Sequence, residues 1–159
     1  MRTRLLSLAF LFVVAAALPA DVVTDWTGEL LDSVRVLKPA PPAASRQMAF
    51  VTTAMFDAVN GISGEFDAYN ATGAVAPSAD PAAAAATAAH DILAYLYPAR
   101  SALFAARLAD DLAAIPDGAA KSQGIEWGAT VAAQAVAARA GDGIADVVSY
   151  QPPEGAGWW

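Results

Sequence analysis

The chain has 159 residues, of which 57% are hydrophobic and none is cysteine, and it carries a formal net charge of −7. This length suits one domain with a hydrophobic core, and the lack of cysteine excludes disulfides, thiolate metal sites, c-type haem attachment and cysteine nucleophiles. Nucleic acid is not an expected partner, because the nine Lys and Arg residues are scattered rather than clustered into a basic face.

Residues 1–20 have the composition of a secretory signal peptide. Arg2 and Arg4 precede an apolar run over 5–18, and small residues follow it. The run is shorter than the about 20 apolar residues that a membrane-spanning helix needs. We therefore expect export, to the periplasm or the exterior, with cleavage near Ala17 to Ala20 and no membrane span in the mature chain. Cleavage removes two arginines and changes the formal charge from −7 to −9.

The mature part begins with two predicted helices joined by a proline-rich connector. In residues 23–37 apolar side chains recur every three or four positions, which is typical of one face of a helix. Residues 39–45 contain three prolines, so we expect a stiff, non-helical connector there. The helical period is cleanest over 48–62, which predicts a central core helix that ends at the Asn60-Gly61 pair.

A surface loop and two further helices are predicted next. Residues 63–80 are rich in Gly, Ser, Asp and Asn and have no helical stripe. Asp80-Pro81 predicts the start of a third helix, because the carboxylate can cap free amides and proline is tolerated at the first helical position. We expect this helix to extend to about Tyr97 and a fourth helix to end near Ile115. The short turns imply antiparallel neighbours.

A fifth helix is predicted from about 119 to 140, where Gly124, Gly128 and many alanines leave a nearly smooth surface that another helix can approach closely. The glycine spacing matches a membrane dimerisation motif, but charged and polar residues interrupt this span and argue against a membrane helix. No convincing strand is present. The sequence thus predicts an all-α domain over 21–148, an antiparallel helical bundle of about five helices, followed by a Pro- and Gly-rich tail over 149–159.

His90 and Asp57 are the two candidates for chemistry. His90, the only histidine, could act as a base or bind a metal, but with no Cys only carboxylates such as Asp91 or Asp57 remain as further ligands, an untypical zinc set. A partly buried structural histidine is the favoured interpretation. Asp57 could be a buried acid for acid/base work, but we favour a carboxylate that holds a loop or a neighbouring helix by hydrogen bonds.

Three other features have functional interpretations that we consider weak. Asp110 and Asp111 are adjacent, so they point about 100° apart on a helix, cannot form a catalytic pair and are expected to be solvated. Residues 70–72 match a glycosylation acceptor in an exposed loop. Trp158-Trp159 could form a binding platform, but we expect them to pack on protein that is missing. The sequence therefore predicts no catalytic, cofactor-binding or metal-binding residue in this chain.

A family resemblance rests on five phrases taken in order: DVVTDWTGELLDSVR, SRQMAFVTTAMFDAVNG (45–61), AAAAATAAHDILAYLYP (82–98), IPDGAAKSQGIEWG (115–128), and ARAGDG to YQPPEGAGWW. In this order and spacing they resemble the N-terminal helical part of bacterial vanadium-dependent haloperoxidase-related proteins, within the type 2 phosphatidic acid phosphatase superfamily. The resemblance covers nearly the whole mature chain.

The resemblance implies an all-helical scaffold that binds vanadate, or phosphate in the phosphatase relatives, through a Lys, two Arg, a Ser-Gly-His segment and a second His bonded to the metal. Peroxide bound to vanadium then oxidises halide. This chain has one His, no Ser-Gly-His and no Arg-Pro segment after a spaced Lys, and neither Lys38-Pro39 nor Arg100 matches. His90 belongs to the scaffold phrase. The resemblance therefore implies that the catalytic half is missing, so we expect this chain to hold no cofactor and to be inactive alone.

The expected partners are the missing C-terminal catalytic half or a second copy that associates through apolar helix faces. The main alternative is a free-standing exported helical module that binds a partner without catalysis. A third interpretation makes His90 and Asp57 a small hydrolytic or metal site.

Overall fold

A computed structural model describes residues 21–144 together with 146, 149, 151 and 155. This part of the chain forms five α-helices and contains no strand, so the predicted all-α bundle is confirmed. The helices are α1 (Val22–Leu37), α2 (Pro41–Ser63), α3 (Pro81–Leu96), α4 (Ser101–Ala113) and α5 (Ala119–Arg139), with a short 3-10 turn, Pro98–Arg100, before α4. The expected signal peptide and the Trp158-Trp159 pair lie outside the described residues.

The centre of the bundle is α3, which packs against each of the other four helices. Nine of its 16 residues are buried, and seven of these form an unbroken run over 83–89 made of six alanines and Thr87. Small side chains on every face let several helices approach one axis closely, which a helix with a single apolar stripe does not allow. The helix predicted over 48–62 does contribute to the core, but its predicted central position was wrong, because α2 keeps exposed positions such as Thr52 and Phe56.

Close contact between α3 and α5 depends on two glycines of α5. A Cβ atom added at Gly124 would lie 2.4 Å from the backbone oxygen of Asp80, and one added at Gly128 would lie 2.3 Å from that of Ala84. The predicted close approach is confirmed. Because the later glycine meets the later residue, α3 and α5 run in the same direction, and the antiparallel arrangement expected for neighbours in the bundle does not extend to this pair.

The predicted connector over 39–45 is mostly helical, which corrects the sequence interpretation. The first helix ends at Leu37, Lys38 adopts a left-handed conformation with φ of 48°, and α2 begins at Pro41. Proline breaks a helix only in its interior. At the first positions its missing N–H has no helical partner to lose, and its fixed φ already suits a helix.

The predicted end of the second helix at Asn60-Gly61 is wrong, because α2 continues to Ser63 and Gly64, with φ of 65°, is the left-handed residue that ends it. The predicted cap at Asp80 and the predicted loop agree with the structure. The side chain of Asp80 accepts a hydrogen bond from the backbone N–H of Ala83 at 2.8 Å, as expected for a helix cap. Residues 64–80 form the predicted non-helical loop. Among the described residues, no helix has both the length and the apolar composition required to cross a bilayer.

Candidate functional site

Asp57 of α2 is a buried carboxylate that binds the loop after its own helix. Its side chain is 2% exposed. One oxygen, Oδ1, accepts from the backbone N–H of Tyr69 at 2.7 Å, and Oδ2 accepts from those of Asn70 and Ala71, both at 2.8 Å. Three donors satisfy the negative charge without a cation. The loop-holding role that the sequence favoured for Asp57 is confirmed by these contacts.

Asn60 holds the same loop one turn further along α2. Its side-chain Nδ2 donates to the carbonyl of Phe66 at 2.8 Å, and its Oδ1 accepts from the N–H of Phe66 at 2.9 Å. Asn60 was predicted only as part of a helix stop, and its hydrogen bonds to the loop were not predicted. The spacing of three residues from Asp57 was the available signal, because it places both side chains on one side of the helix.

The loop is also bound to α5. The side chain of Gln134 accepts from the N–H of Thr72 at 2.7 Å and donates to its carbonyl at 2.8 Å. Thr72 is the last residue of the glycosylation acceptor, whose middle residue, Ala71, is buried. The acceptor therefore lies in a surface loop, as predicted, but folded tightly against α5.

Trp127 joins α5 to α2 at the end of the loop-holding region. Its ring Nε1 donates to the carbonyl of Ala58 at 3.0 Å. A Cβ added at Gly61 would lie 2.4 Å from Cζ2 of this ring, so only glycine leaves room for the tryptophan there. Gly61 was predicted to end the helix, but it lies inside α2, and the close approach of the aromatic ring is what requires glycine there.

A polar cavity of about 210 Å³ borders Asp57, and its lining includes Thr53, Asp57, Tyr69, Asn70, Arg139 and Asp142. Its charged groups already have contacts within the chain. Asp57 accepts three backbone hydrogen bonds, Asp142 pairs with Arg46, and the guanidinium of Arg139 lies 4.9 Å from the centre of the Phe50 ring. The cavity thus lies where the loop packs against α5, and its charged groups are engaged in structural contacts rather than free for acid/base catalysis.

Arg46 and Asp142 form an ion pair that joins the start of α2 to the segment after α5. The Nη2 and Nε atoms of Arg46 lie 2.6 Å and 2.8 Å from Oδ2 of Asp142. The hydrogen bond from Arg46 holds the pKa of Asp142 below its ordinary value of 3.8. Because folding lowers this pKa, the ion pair stabilises the folded protein at pH values above the ordinary pKa of Asp142. This contribution is lost as the pH falls through the lowered pKa.

We expect Arg46→Gln to return the pKa of Asp142 toward 3.8, because the charged donor that lowers it is removed. An NMR titration of the side-chain carboxyl carbons measures this change. Lys121→Gln is the matched control, since Lys121 lowers the pKa of Asp117 in the same way and does not contact Asp142. An Asp142 pKa that stays equally low in Arg46→Gln would contradict the assigned cause.

His90 lies at a different contact, between α3 and α1. Its Nδ1 is 2.7 Å from Oδ1 of Asp91, and its ring meets the ring of Trp26 edge-on, with centroids 6.4 Å apart. The side chain is partly buried, as expected for a structural histidine. In the described part of the chain no hydrogen bond joins His90 to Asp57, His90 does not line the cavity beside Asp57, and no group of three or more potential metal ligands occurs.

Asp111 is part of an ionic cluster that was not predicted from the sequence. Its Oδ2 accepts from Nε1 of the buried Trp26 at 2.8 Å, and its Oδ1 accepts from Nε of Arg107 at 3.1 Å. Arg107 also pairs with Asp25 of α1. The prediction that Asp111 is solvated was wrong, because the 100° turn that separates it from the exposed Asp110 directs only Asp111 toward α1.

The fold and these contacts define an all-α bundle whose buried polar side chains hold its own loop and its own helices together. No protein-family model matches the sequence, and neither a curated protein nor a solved structure matches it significantly.

Proposed function

We propose that this chain is the N-terminal helical scaffold of a vanadium-dependent haloperoxidase-related protein, or of a related acid phosphatase, and that it acts after export and removal of residues 1–20. The complete protein oxidises halide with peroxide or hydrolyses phosphoesters. Its oxyanion-binding Lys, Arg and His residues come from a segment that these 159 residues do not contain, and this chain contributes no catalytic residue.

The observation that carries the proposal is the way the resembling phrases interlock. FDAVNG over 56–61 and IEWG over 125–128 meet where Trp127 donates to Ala58 and packs on Gly61. The first phrase also contains Asp57 and Asn60, which hold the loop. The most distinctive residues of these phrases are therefore used for packing and loop positioning, which is what a scaffold requires.

The arrangement of the Lys and Arg side chains also supports a scaffold role for this chain and an oxyanion site in another segment. Vanadate and phosphate sites need several cationic donors that converge on one oxyanion. Four of the seven Lys and Arg residues in the described part of the chain instead bind carboxylates of the chain itself, in the pairs Arg35–Asp32, Arg46–Asp142, Arg107–Asp25 and Lys121–Asp117. Donors engaged in this way favour an oxyanion site built from another segment.

Sequencing the transcript downstream of the codon for Trp159 tests the proposal. We expect a continuation, in frame or after one frameshift, that encodes a Lys, an Arg-Pro segment, Ser-Gly-His and a later His. The longer polypeptide should bind vanadate in vanadium NMR and oxidise bromide in the presence of peroxide, whereas the 159-residue chain should do neither. A transcript without such a continuation, or vanadate binding by the short chain, would contradict the proposal.

A second candidate function is partner binding by a free-standing exported helical module without catalysis. It is favoured by an exposed apolar surface on α2 and the following loop, where Phe56 and Phe66 are accessible to solvent. A genuine stop codon after Trp159, together with a stable monomer in solution, would support this candidate over the first.

A further inference from the structure

An apolar groove of about 330 Å³ lies where α1, α2 and the loop after α2 meet, and its lining includes Val23, Met55, Phe56, Val59, Glu65 and Phe66. Two aromatic rings dominate its accessible surface. Phe56 is 42% exposed and Phe66 is 68% exposed, and their ring centroids are 6.4 Å apart. Exposed apolar side chains that are contiguous, rather than scattered singly, are typical of interaction sites.

The groove is held in place before any partner binds. Both backbone polar groups of Phe66 are hydrogen-bonded to the buried side chain of Asn60, while the ring of Phe66 points to solvent. A fixed aromatic anchor loses little conformational freedom on association, and such anchors provide much of the binding energy at protein interfaces. The hydrogen bonds of Asn60 thus hold the loop and also keep the ring of Phe66 exposed on it.

The shape of the groove suits a helix. Its α2 side consists of residues at helical spacing: Thr52, Met55, Phe56, Val59, Asn60 and Ser63. With a rise of 1.5 Å per residue, this row is about 16 Å long, or roughly three helical turns. An amphipathic helix with apolar residues every three or four positions can lie along such a row.

The charges around the groove favour a positively charged binding partner. Glu65 lines it and Asp67 is two residues further along the chain, whereas residues 47–99 contain no Lys or Arg. The only basic residue of α1, Arg35, is near the far end of that helix from Val23 and pairs with Asp32. A second copy of this chain is a poor occupant, because it also carries net negative charge.

We propose that this groove is the docking site for a basic amphipathic helix from outside the chain, with apolar residues inserted between Phe56 and Phe66 and a Lys or Arg beside Glu65. This inference goes beyond the proposed relation to haloperoxidases and needs no vanadate chemistry. The transcript experiment and the binding experiment therefore succeed or fail separately.

Two amphipathic peptides of about 18 residues, a length that can form an isolated helix, are the probes: one combines Leu with Lys, the other Leu with Glu. Fluorescence anisotropy with the purified protein measures their affinities at low and high salt. We expect the Lys peptide to bind at least about tenfold more tightly than the Glu peptide and to weaken with salt. Phe66→Ala should lower its affinity about tenfold and Glu65→Gln about threefold.

Matched controls lie on α4, away from the groove. Leu103→Ala removes an apolar side chain that is 45% exposed, and Asp110→Asn removes an exposed carboxylate. Neither should change the affinity more than about twofold. Phe56→Ala provides a second groove variant if circular dichroism reveals that Phe66→Ala does not fold.

Three outcomes would overturn the proposal. Equal losses in the groove and α4 variants would mean that the peptide binds the acidic surface without a specific site. Equal binding of the Glu peptide would contradict the proposed preference of the groove for a basic helix. A concentration-dependent dimer in sedimentation experiments that Phe66→Ala abolishes would assign the groove to a second copy of this chain.

Discussion

Replacing Asp57 with alanine is expected to lower the free energy of unfolding by about 3–5 kcal/mol. The carboxylate is buried and accepts hydrogen bonds from three consecutive backbone N–H groups, those of Tyr69, Asn70 and Ala71. Alanine removes the acceptor for all three while leaving the donors within a folded loop. Hydrogen bonds to a charged group contribute about 1.5–3 kcal/mol each, and water can restore only part of this loss where the loop is exposed.

Urea denaturation followed by circular dichroism measures this effect, and amide hydrogen exchange locates it. Exchange at residues 69–71 should accelerate before exchange in the helices, because the loop loses its attachment first. Asp67→Ala is the matched control, since Asp67 is an exposed carboxylate in the same loop, and its effect should stay within about 0.5 kcal/mol. Similar losses of stability in the two variants would contradict the role assigned to Asp57.

Replacing Gly128 with alanine is expected to destabilise the bundle by up to about 2 kcal/mol, although alanine is the better helix former. Alanine gains about 1 kcal/mol over glycine in a helix interior. Here the added methyl group would lie 2.3 Å from the backbone oxygen of Ala84 and 2.9 Å from Cβ of Thr87. Since neither atom belongs to the far end of a flexible side chain, α3 and α5 must move apart, and overpacking of this kind costs about 1–3 kcal/mol or more.

Gly28→Ala is the control that measures the effect of helix propensity without a steric contact. Gly28 lies inside α1, and nothing is within 4 Å of the position that its Cβ would occupy. Only the propensity changes there, so this variant should gain up to about 1 kcal/mol. Thermal unfolding of the two variants beside the parent protein gives the comparison. A gain in stability for Gly128→Ala would mean that the close approach of α3 and α5 is not as tight as described.

These two substitutions act on one connected structure. Gly128 sets the distance between α3 and α5, and Trp127, the preceding residue, contacts Gly61 and Ala58 of α2. Asp57 and Asn60 then hold the loop that carries Phe66. The exposed ring of Phe66 in the proposed groove is thus positioned indirectly by the packing of α5 on α3 at Gly128. Gly128→Ala should for this reason also weaken peptide binding, although it does not line the groove.

The helices and their ends were largely predictable because the forces that decide them are local. Apolar residues every three or four positions and the cap at Asp80 act within a few residues of the sequence. The mistake over 39–45 was also local. Pro41 begins α2 for the same reason that Pro81 begins α3, since proline is tolerated at the first position of a helix.

The candidate site was predictable only in part. The sequence favoured a loop-holding role for Asp57, because its helical neighbours offer no charge partner, but it did not identify the three amides that the carboxylate binds. Asn60, Trp127 and Asp111 were missed since their partners belong to other elements. The ion pair between Arg46 and Asp142 joins residues 96 positions apart, a separation that no local pattern reports.

By itself, the sequence determined the all-α class, the approximate bounds of the helices and the close approach at Gly124 and Gly128. These properties follow from backbone geometry and side-chain size along one segment. Only the tertiary structure decided that α3 is central, that α3 and α5 run parallel, and that Phe66 stays exposed while its backbone is held by Asn60. Each of these depends on which distant surfaces meet, and that choice minimises the free energy of the whole chain rather than of any one segment.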